Sequence, residues 1–121
     1  MGAWIDHVQV AIPAGAEAAC DRFYVEGLGF ALEQKPPALA ARGGRWYRRE
    51  GAAIHLGVDP DFRPAKKAHP ALVLGDYDAV VARLEASGHA TRPDAEVPGV
   101  VRCYVDDPVG NRLELIRADE G

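Results

Sequence analysis

One pattern occurs twice along this 121-residue chain: a strand, then a helix, then three further strands. In the first copy, apolar and polar residues alternate over 4–12, which is typical of a strand with one buried face. Apolar residues at helical spacing follow over 14–26, and two glycines end that helix. The second copy begins with a strand over 69–74 and a helix over 77–87. The alternation of strands and helices predicts an α+β fold.

Two residue matches support an internal duplication. His7 and His69 open the two copies and are 62 positions apart, whereas His55 and Glu114 lie in their last strands and are 59 positions apart. Near-equal offsets are the signature of a repeated unit. We therefore predict a single domain over 1–121, with one βαβββ module at about 3–58 and a second at about 69–117. The later strands of the two modules are predicted over 30–34, 45–49 and 52–58, and over 90–92, 100–105 and 111–117.

Composition excludes several classes of protein. Eighteen acidic residues against 14 lysines and arginines leave a net charge of −4, which argues against a nucleic-acid partner. No apolar run approaches the ~20 residues that a membrane span requires. The N-terminal residues lack the basic and apolar segments of a signal peptide. Cys20 and Cys103 are expected to be buried and reduced, so we expect a cytoplasmic location.

Four residues of ligand type fall on the helix-free face of their strands. In each strand the apolar residues take one parity and cover the helix, while a histidine or glutamate takes the other. Any one of them alone would be an ordinary surface residue. All four share one face and occupy equivalent places in the repeat, which points to a common site formed by His7, His55, His69 and Glu114.

Three imidazoles and one carboxylate predict a particular kind of metal site. They suit first-row divalent ions such as Zn, Ni, Co, Mn or Fe, and suit the oxygen-preferring Mg and Ca poorly. Four protein ligands could close a structural zinc site, but such sites in small domains usually use cysteine. A metal with open positions for substrate fits better.

Several motifs identify the family that the chain resembles. Together they are similar to the glyoxalase/bleomycin resistance protein/extradiol dioxygenase group, the vicinal oxygen chelate superfamily, over nearly the whole chain. The last motif, a DPxGN turn followed by x-L-E-L, is the most specific. The motifs are Ile5-Asp6-His7-Val8, Phe23-Tyr24, Leu28-Gly29-Phe30, Ile54-His55-Leu56, His69-Pro70-Ala71-Leu72 and Asp106-Asp107-Pro108-Val109-Gly110-Asn111 with Leu113-Glu114-Leu115.

The resemblance implies an architecture and an assembly. In this superfamily paired βαβββ modules form curved mixed sheets whose helix-free faces line a metal-binding cleft. Members of this length are usually homodimers in which the sites are shared between chains. Each site would then take His7 and His55 from one subunit and His69 and Glu114 from its partner.

The resemblance leaves the chemistry open. A metal-dependent lyase or isomerase of the glyoxalase type would act on a small substrate chelated through vicinal oxygens, with Glu114 as the catalytic base. Those enzymes usually have glutamate where this chain has His55, however. His7, His69 and Glu114 also match the two-histidine, one-carboxylate set of iron extradiol dioxygenases, and fosfomycin-modifying transferases use the same three positions. The alternative outside enzymology is a metal-free drug-binding protein of the bleomycin-resistance type.

Other residues are candidates for contacting the substrate. Strand parity places Arg102 and Tyr104 on the cleft side. From the third strand, either Trp46 with Arg48 or Tyr47 with Arg49 would join them, because both parities carry an aromatic residue and an arginine. Between the modules, Arg63, with Lys66 and Lys67, could bind a carboxylate or phosphate, although ordinary solvated charges are at least as good a reading of the lysines.

Overall fold

The computed structural model describes residues 1–119. It contains eight strands and three α-helices, the first of which continues into a π-helical turn over Arg22–Gly27. The elements are β1 (Val8–Ile12), α1 (Glu17–Asp21), β2 (Ala31–Glu33), α2 (Pro37–Ala40), β3 (Arg45–Arg49), β4 (Ala52–Val58), β5 (Ala71–Leu74), α3 (Tyr77–Ala86), β6 (Arg92–Asp94), β7 (Arg102–Asp106) and β8 (Arg112–Arg117).

The strands form two four-stranded sheets with the same topology. Their orders are β1-β4-β3-β2 and β5-β8-β7-β6. In each sheet the first and last strands of the unit pair in parallel, and the other neighbours pair in antiparallel fashion. The predicted α+β class with two mixed-sheet βαβββ units is therefore confirmed. None of the helices in the described part of the chain is long and apolar enough to cross a bilayer.

One apolar cluster connects both sheets with α1, the π-helical turn and α3. The π-helical turn and α3 approach each other closely, because a Cβ atom on Gly27 would lie only 2.7 Å from Leu84 Cδ2. Cys20 and Cys103 are buried and free, as expected. Burial of these inward-facing side chains supplies the main driving force for folding and leaves the helix-free faces of the sheets for other contacts.

A buried polar network connects the turn before β8 to the first sheet. Tyr24 Oη donates to Asp107 Oδ2 at 2.8 Å, and the Asn111 side chain donates to the carbonyl oxygen of Ala11 at 2.8 Å. The backbone N–H of Ala65 donates in turn to Asn111 Oδ1 at 2.9 Å. The DPxGN motif therefore fixes the second sheet and the linker against the first.

Several element boundaries differ from the prediction. The strand predicted over 4–12 begins only at Val8, and Trp4 is 86% exposed. The strand predicted over 90–92 lies over Arg92–Asp94, and the short α2 was not predicted.

Candidate metal and substrate site

Three aromatic rings form a column on the helix-free face of the first sheet. His55 on β4 stacks on Trp46 of β3, with ring centroids 4.5 Å apart, and on His7, with centroids 3.9 Å apart. The register explains the arrangement, since Trp46 is the direct partner of His55 and His7 lies two residues before its other partner, Gln9. This settles the choice left open for β3: Trp46 and Arg48 lie on this face, while Tyr47 is fully buried in the core.

The same rings line a cavity of about 600 Å³ on the first sheet. Polar side chains contribute most of its remaining wall, including Asp6, Arg42 and Arg48. Burial between the rings, together with the neighbouring His7, lowers the pKa of His55 below its usual value of 6.5. His55 is therefore held as a neutral imidazole, the form that binds metals.

The ring of His7 is oriented by its sequence neighbour. Its Nδ1 atom lies 2.9 Å from Asp6 Oδ2, and this hydrogen bond lowers the pKa of the Asp6 carboxyl. Since a carboxylate only accepts, the hydrogen must reside on Nδ1. In the neutral ring, Nε2 is then the atom with a free lone pair. Histidines that bind metals commonly have such a partner on the other nitrogen.

A second pair of ligand-type residues occupies the equivalent place on the second sheet. His69 Nε2 lies 3.0 Å from Glu114 Oε1. Glu114 is the direct partner of Ala71, and His69 lies two residues before it, which is the same relation that joins His7 to His55. The register therefore repeats between the two sheets.

Both ring nitrogens of His69 face an acceptor oxygen. Nδ1 lies 3.0 Å from the carbonyl oxygen of Lys67, and Nε2 lies 3.0 Å from Glu114 Oε1. A neutral imidazole has a single N–H and can donate to only one of these two oxygens. With the hydrogen on Nδ1, Nε2 and Oε1 would both be available to bind one metal cation.

An arginine holds the other oxygen of Glu114. Arg102 Nη1 donates to Glu114 Oε2 at 3.0 Å, while its Nε and Nη2 atoms donate to Asp94 Oδ1 at 3.2 and 2.9 Å. These two carboxylates raise the pKa of the Arg102 guanidinium. Arg102, predicted to contact substrate, thus contacts Glu114 directly. Tyr104 lies beside His69 and Arg102. Its ring is edge-on to the His69 ring, and its ring centre lies 5.6 Å from Arg102 Cζ.

The four predicted ligands form two pairs within one chain. No cluster of three or more His, Cys, Asp or Glu side chains among residues 1–119 is arranged to hold a metal. The structure brings His7 to His55 and His69 to Glu114. A site shared between two chains would take one of these pairs from each chain. This sharing remains a prediction. Arg63, also predicted to contact substrate, is exposed in the linker between β4 and β5.

Two residues near this site were not predicted from the sequence. Asp94 lies on a strand of only three residues, too short for parity to be visible. Arg112 precedes Glu114 by two positions and therefore shares its face, so parity could have identified it.

A second cavity, of about 590 Å³, lies between the edge strands β1 and β5. Small and apolar side chains dominate its wall, which also includes Asp6 and His69. It is in the size range of pockets for small organic molecules.

Comparisons with known proteins establish the family. A family model described as a glyoxalase-like domain matches residues 9–116. A solved glyoxalase family protein from Bacillus anthracis is 40% identical, with a TM-score of 0.89 over 98% of this chain and 100% of that one. TnmS3, an antibiotic binding protein from Streptomyces sp. CB03234, is 27% identical, with a TM-score of 0.68 over 98% and 100% of the two chains.

A curated relative is larger than this chain. Endonuclease V from Methanopyrus kandleri is 33% identical in an alignment that covers 72% of this chain and 50% of that protein. The chain thus spans about half the length of this relative. The family model, in contrast, covers most of the chain. This protein belongs to the family of glyoxalase-like domains.

Proposed function

We propose that this protein is a metal-dependent, glyoxalase-like enzyme of the lyase or isomerase type. Its substrate is a small oxygenated molecule that chelates the metal through vicinal oxygens. The metal is bound by His7 and His55 of one chain and by His69 and Glu114 of a second copy. The reducing environment suited to two free, buried cysteines favours the cytoplasm.

The contact between His69 and Glu114 carries the proposal. His69 Nε2 and Glu114 Oε1 face each other at 3.0 Å, and a hydrogen on Nδ1 toward the Lys67 carbonyl would leave both atoms available to bind one cation. His7 repeats the arrangement, since Asp6 holds its Nδ1 and leaves Nε2 available. Three imidazoles and one carboxylate suit Zn, Ni, Co, Mn or Fe. The residues present therefore fit the metal.

A bound metal would supply Lewis-acid polarisation of the substrate oxygens. The chain's own residues supply the rest. Glu114 is the only carboxylate among the four ligands and therefore the candidate for moving a proton. Arg102 fixes Glu114 Oε2, so that Oε1 is presented beside His69. Tyr104 forms an aromatic wall beside the same pair.

A second candidate function is binding of a small molecule without metal. The apolar cavity between β1 and β5 favours it, because its volume of about 590 Å³ suits a drug-sized ligand. The likeness to an antibiotic binding protein supports the same reading. In that case His69 and Glu114 form a hydrogen bond with each other and bind no metal.

The first experiment is the metal content of the purified protein after loading with Zn, Ni, Co, Mn or Fe and removal of excess ion. About one metal per chain supports the enzyme. If none of these ions binds tightly, the enzymatic function is contradicted. Binding of a small molecule without metal then remains as the candidate function. Retention of full metal content by both His69→Ala and Glu114→Ala contradicts the ligand assignment.

Mixing two inactive variants tests whether the site is shared. His55→Ala and Glu114→Ala each lack one ligand in every site. If the sites combine pairs from two chains, a mixed dimer regains one complete site. A random mixture of subunits then regains about a quarter of the wild-type metal content. Sites built within one chain would regain none, and unmixed variants measured in parallel provide the baseline.

A further inference from the structure

Arg112 lies on the same face as the proposed ligand pair of the second sheet. It is the first residue of β8 and precedes Glu114 by two positions, so their side chains share the helix-free face. Its backbone N–H donates to the carbonyl oxygen of Ala65 at 2.8 Å, which ties the start of β8 to the linker. The backbone of Arg112 is therefore fixed beside the candidate site.

The guanidinium of Arg112 forms no ion pair with a carboxylate of residues 1–119. Its Nε atom is buried, and it is the one buried side-chain nitrogen or oxygen of residues 1–119 that has no hydrogen-bond partner. Its Cζ atom lies 5.6 Å from the centre of the Tyr104 ring. On the other side of this region, Arg102 is paired with both Asp94 and Glu114. A partly buried guanidinium with an unused donor is costly unless a ligand completes it.

The neighbouring carboxylates are already occupied. Asp106, the strand partner of Arg112, accepts from Lys66 and Arg92, at 3.1 Å in each case. Asp94 and Glu114 accept from Arg102. Four cations and three carboxylates therefore lie on or beside this part of the second sheet, although the whole chain has a net charge of −4. The cations are Lys66, Arg92, Arg102 and Arg112.

We propose that Arg112 binds an oxyanion of the ligand, either a carboxylate or a phosphate. The inference rests on the proposed function in one respect, namely that the ligand occupies the face shared with His69 and Glu114. Arginine presents planar N–H donors that match the oxygens of both anions. The substrate class is accordingly a small oxygenated molecule with a negative charge, and Arg112 determines that specificity.

The test uses inorganic phosphate and acetate as probes of the metal-free protein. Each is titrated while backbone amide resonances are followed by NMR, with Arg112→Gln, Arg112→Lys and Arg22→Gln compared with the wild type. Arg22 is exposed on the helical side and controls for the loss of one positive charge. We expect the resonances of β7 and β8 to shift, and Arg112→Gln to weaken binding roughly tenfold. Arg112→Lys should retain part of the affinity.

Other outcomes overturn the inference. Equal anion affinity in the wild type and Arg112→Gln contradicts it, as does equal weakening by Arg22→Gln, which would indicate an adventitious ion only. A preference for one probe assigns the class of anion and supports the inference. The metal content of Arg112→Gln is measured separately and should remain at the wild-type value. If neither the wild type nor the variants bind metal but anion binding still depends on Arg112, the proposed enzymatic function is contradicted. The anion-binding role of Arg112 is supported in that case.

Discussion

Trp46 and His55 face each other across β3 and β4, with ring planes within 11° of parallel and centroids 4.5 Å apart. His7 covers the opposite face of the same imidazole. As a result His55 is only 7% exposed, although it lies on the face of the sheet away from the helices. The packing of the neighbouring rings thus determines the orientation of the His55 imidazole. Its neutral form is favoured before any metal binds.

We expect the metal-free protein to lose stability as the pH falls below about 6.5. The pKa of His55 is lowered in the folded state, first by burial and then by His7. Above 6.5 the ring is neutral in both states, so its contribution does not change with pH. Below 6.5 the unfolded chain takes up a proton that the folded chain resists, which favours unfolding. Urea unfolding at about pH 7.5 and about pH 5.5 measures the change.

His55→Phe is the matched control for this pH dependence. Phenylalanine keeps a flat ring between Trp46 and His7 but does not titrate. The loss of stability on acidification should therefore be smaller in the variant than in the wild type. An identical loss in both proteins would show that His55 does not cause it.

Asp94 and Arg102 should strengthen metal binding without touching the metal. Arg102 holds Glu114 Oε2 and is itself held by Asp94. Both Arg102→Gln and Asp94→Asn should weaken metal affinity by about 10-fold to 100-fold, as is usual when a partner of a ligand is lost. Calorimetric titration with the ion found in the native protein measures the change.

The control for these two variants is Arg117→Gln. Arg117 lies on β8, the strand of Glu114, and pairs with Asp78 at 2.5 Å in an ion pair that is exposed. Its loss should leave metal affinity unchanged. If Asp94→Asn binds metal as tightly as the wild type while Arg102→Gln does not, Asp94 has no positioning role.

The strands whose bounds the sequence predicted correctly are the two inner strands of the first sheet. The bounds of β3 and β4 agree with the prediction, and both strands pair with a neighbour on each side. At β1 the prediction was four residues too early, since pairing with β4 begins only at Val8. Alternation reports which face is buried, not where a neighbouring strand begins.

Parity also shows how far the candidate site could be predicted. It predicted a shared helix-free face for His7 and His55 and for His69 and Glu114, and each pair has the same register relation in the structure. It could not show that Arg102 pairs with Glu114, since an ion pair across strands depends on side-chain reach. Asp76 occupies the N-cap position of α3. The Asp76 side chain makes no capping bond and instead accepts from Arg49 at 2.8 Å.

Tyr24→Phe should destabilise the fold by about 2 kcal/mol, because it removes a buried hydrogen bond to a carboxylate. The Asp107 side chain keeps its bonds from the Asn111 backbone and side chain, so the turn should remain formed. Tyr104→Phe is the control, since the Tyr104 hydroxyl has no hydrogen bond with any of residues 1–119. Equal stability of Tyr24→Phe and the wild type in urea unfolding would show that the network contributes nothing.

Gly44→Ala should destabilise the fold more than Gly51→Ala, although the two glycines have nearly the same backbone conformation. Their φ angles are +84° and +80°, so alanine at either position costs about 1–2 kcal/mol of backbone strain. A Cβ atom at Gly51 would meet nothing within 4 Å, whereas at Gly44 it would overlap the carbonyl oxygen of Leu56. That overlap lies where β3 starts its pairing with β4 and should add about 1–3 kcal/mol.

Gly44→Ala should also affect the candidate site, whereas Gly51→Ala should not. Displacement of β3 at Gly44 would disturb the stacking of Trp46, two residues later, on His55. Tryptophan fluorescence at low denaturant should therefore change in Gly44→Ala and remain at the wild-type value in Gly51→Ala. Equal free energies of unfolding for the two variants would show that backbone strain alone decides, and that the close approach of β3 to β4 at Gly44 contributes nothing to the placement of His55.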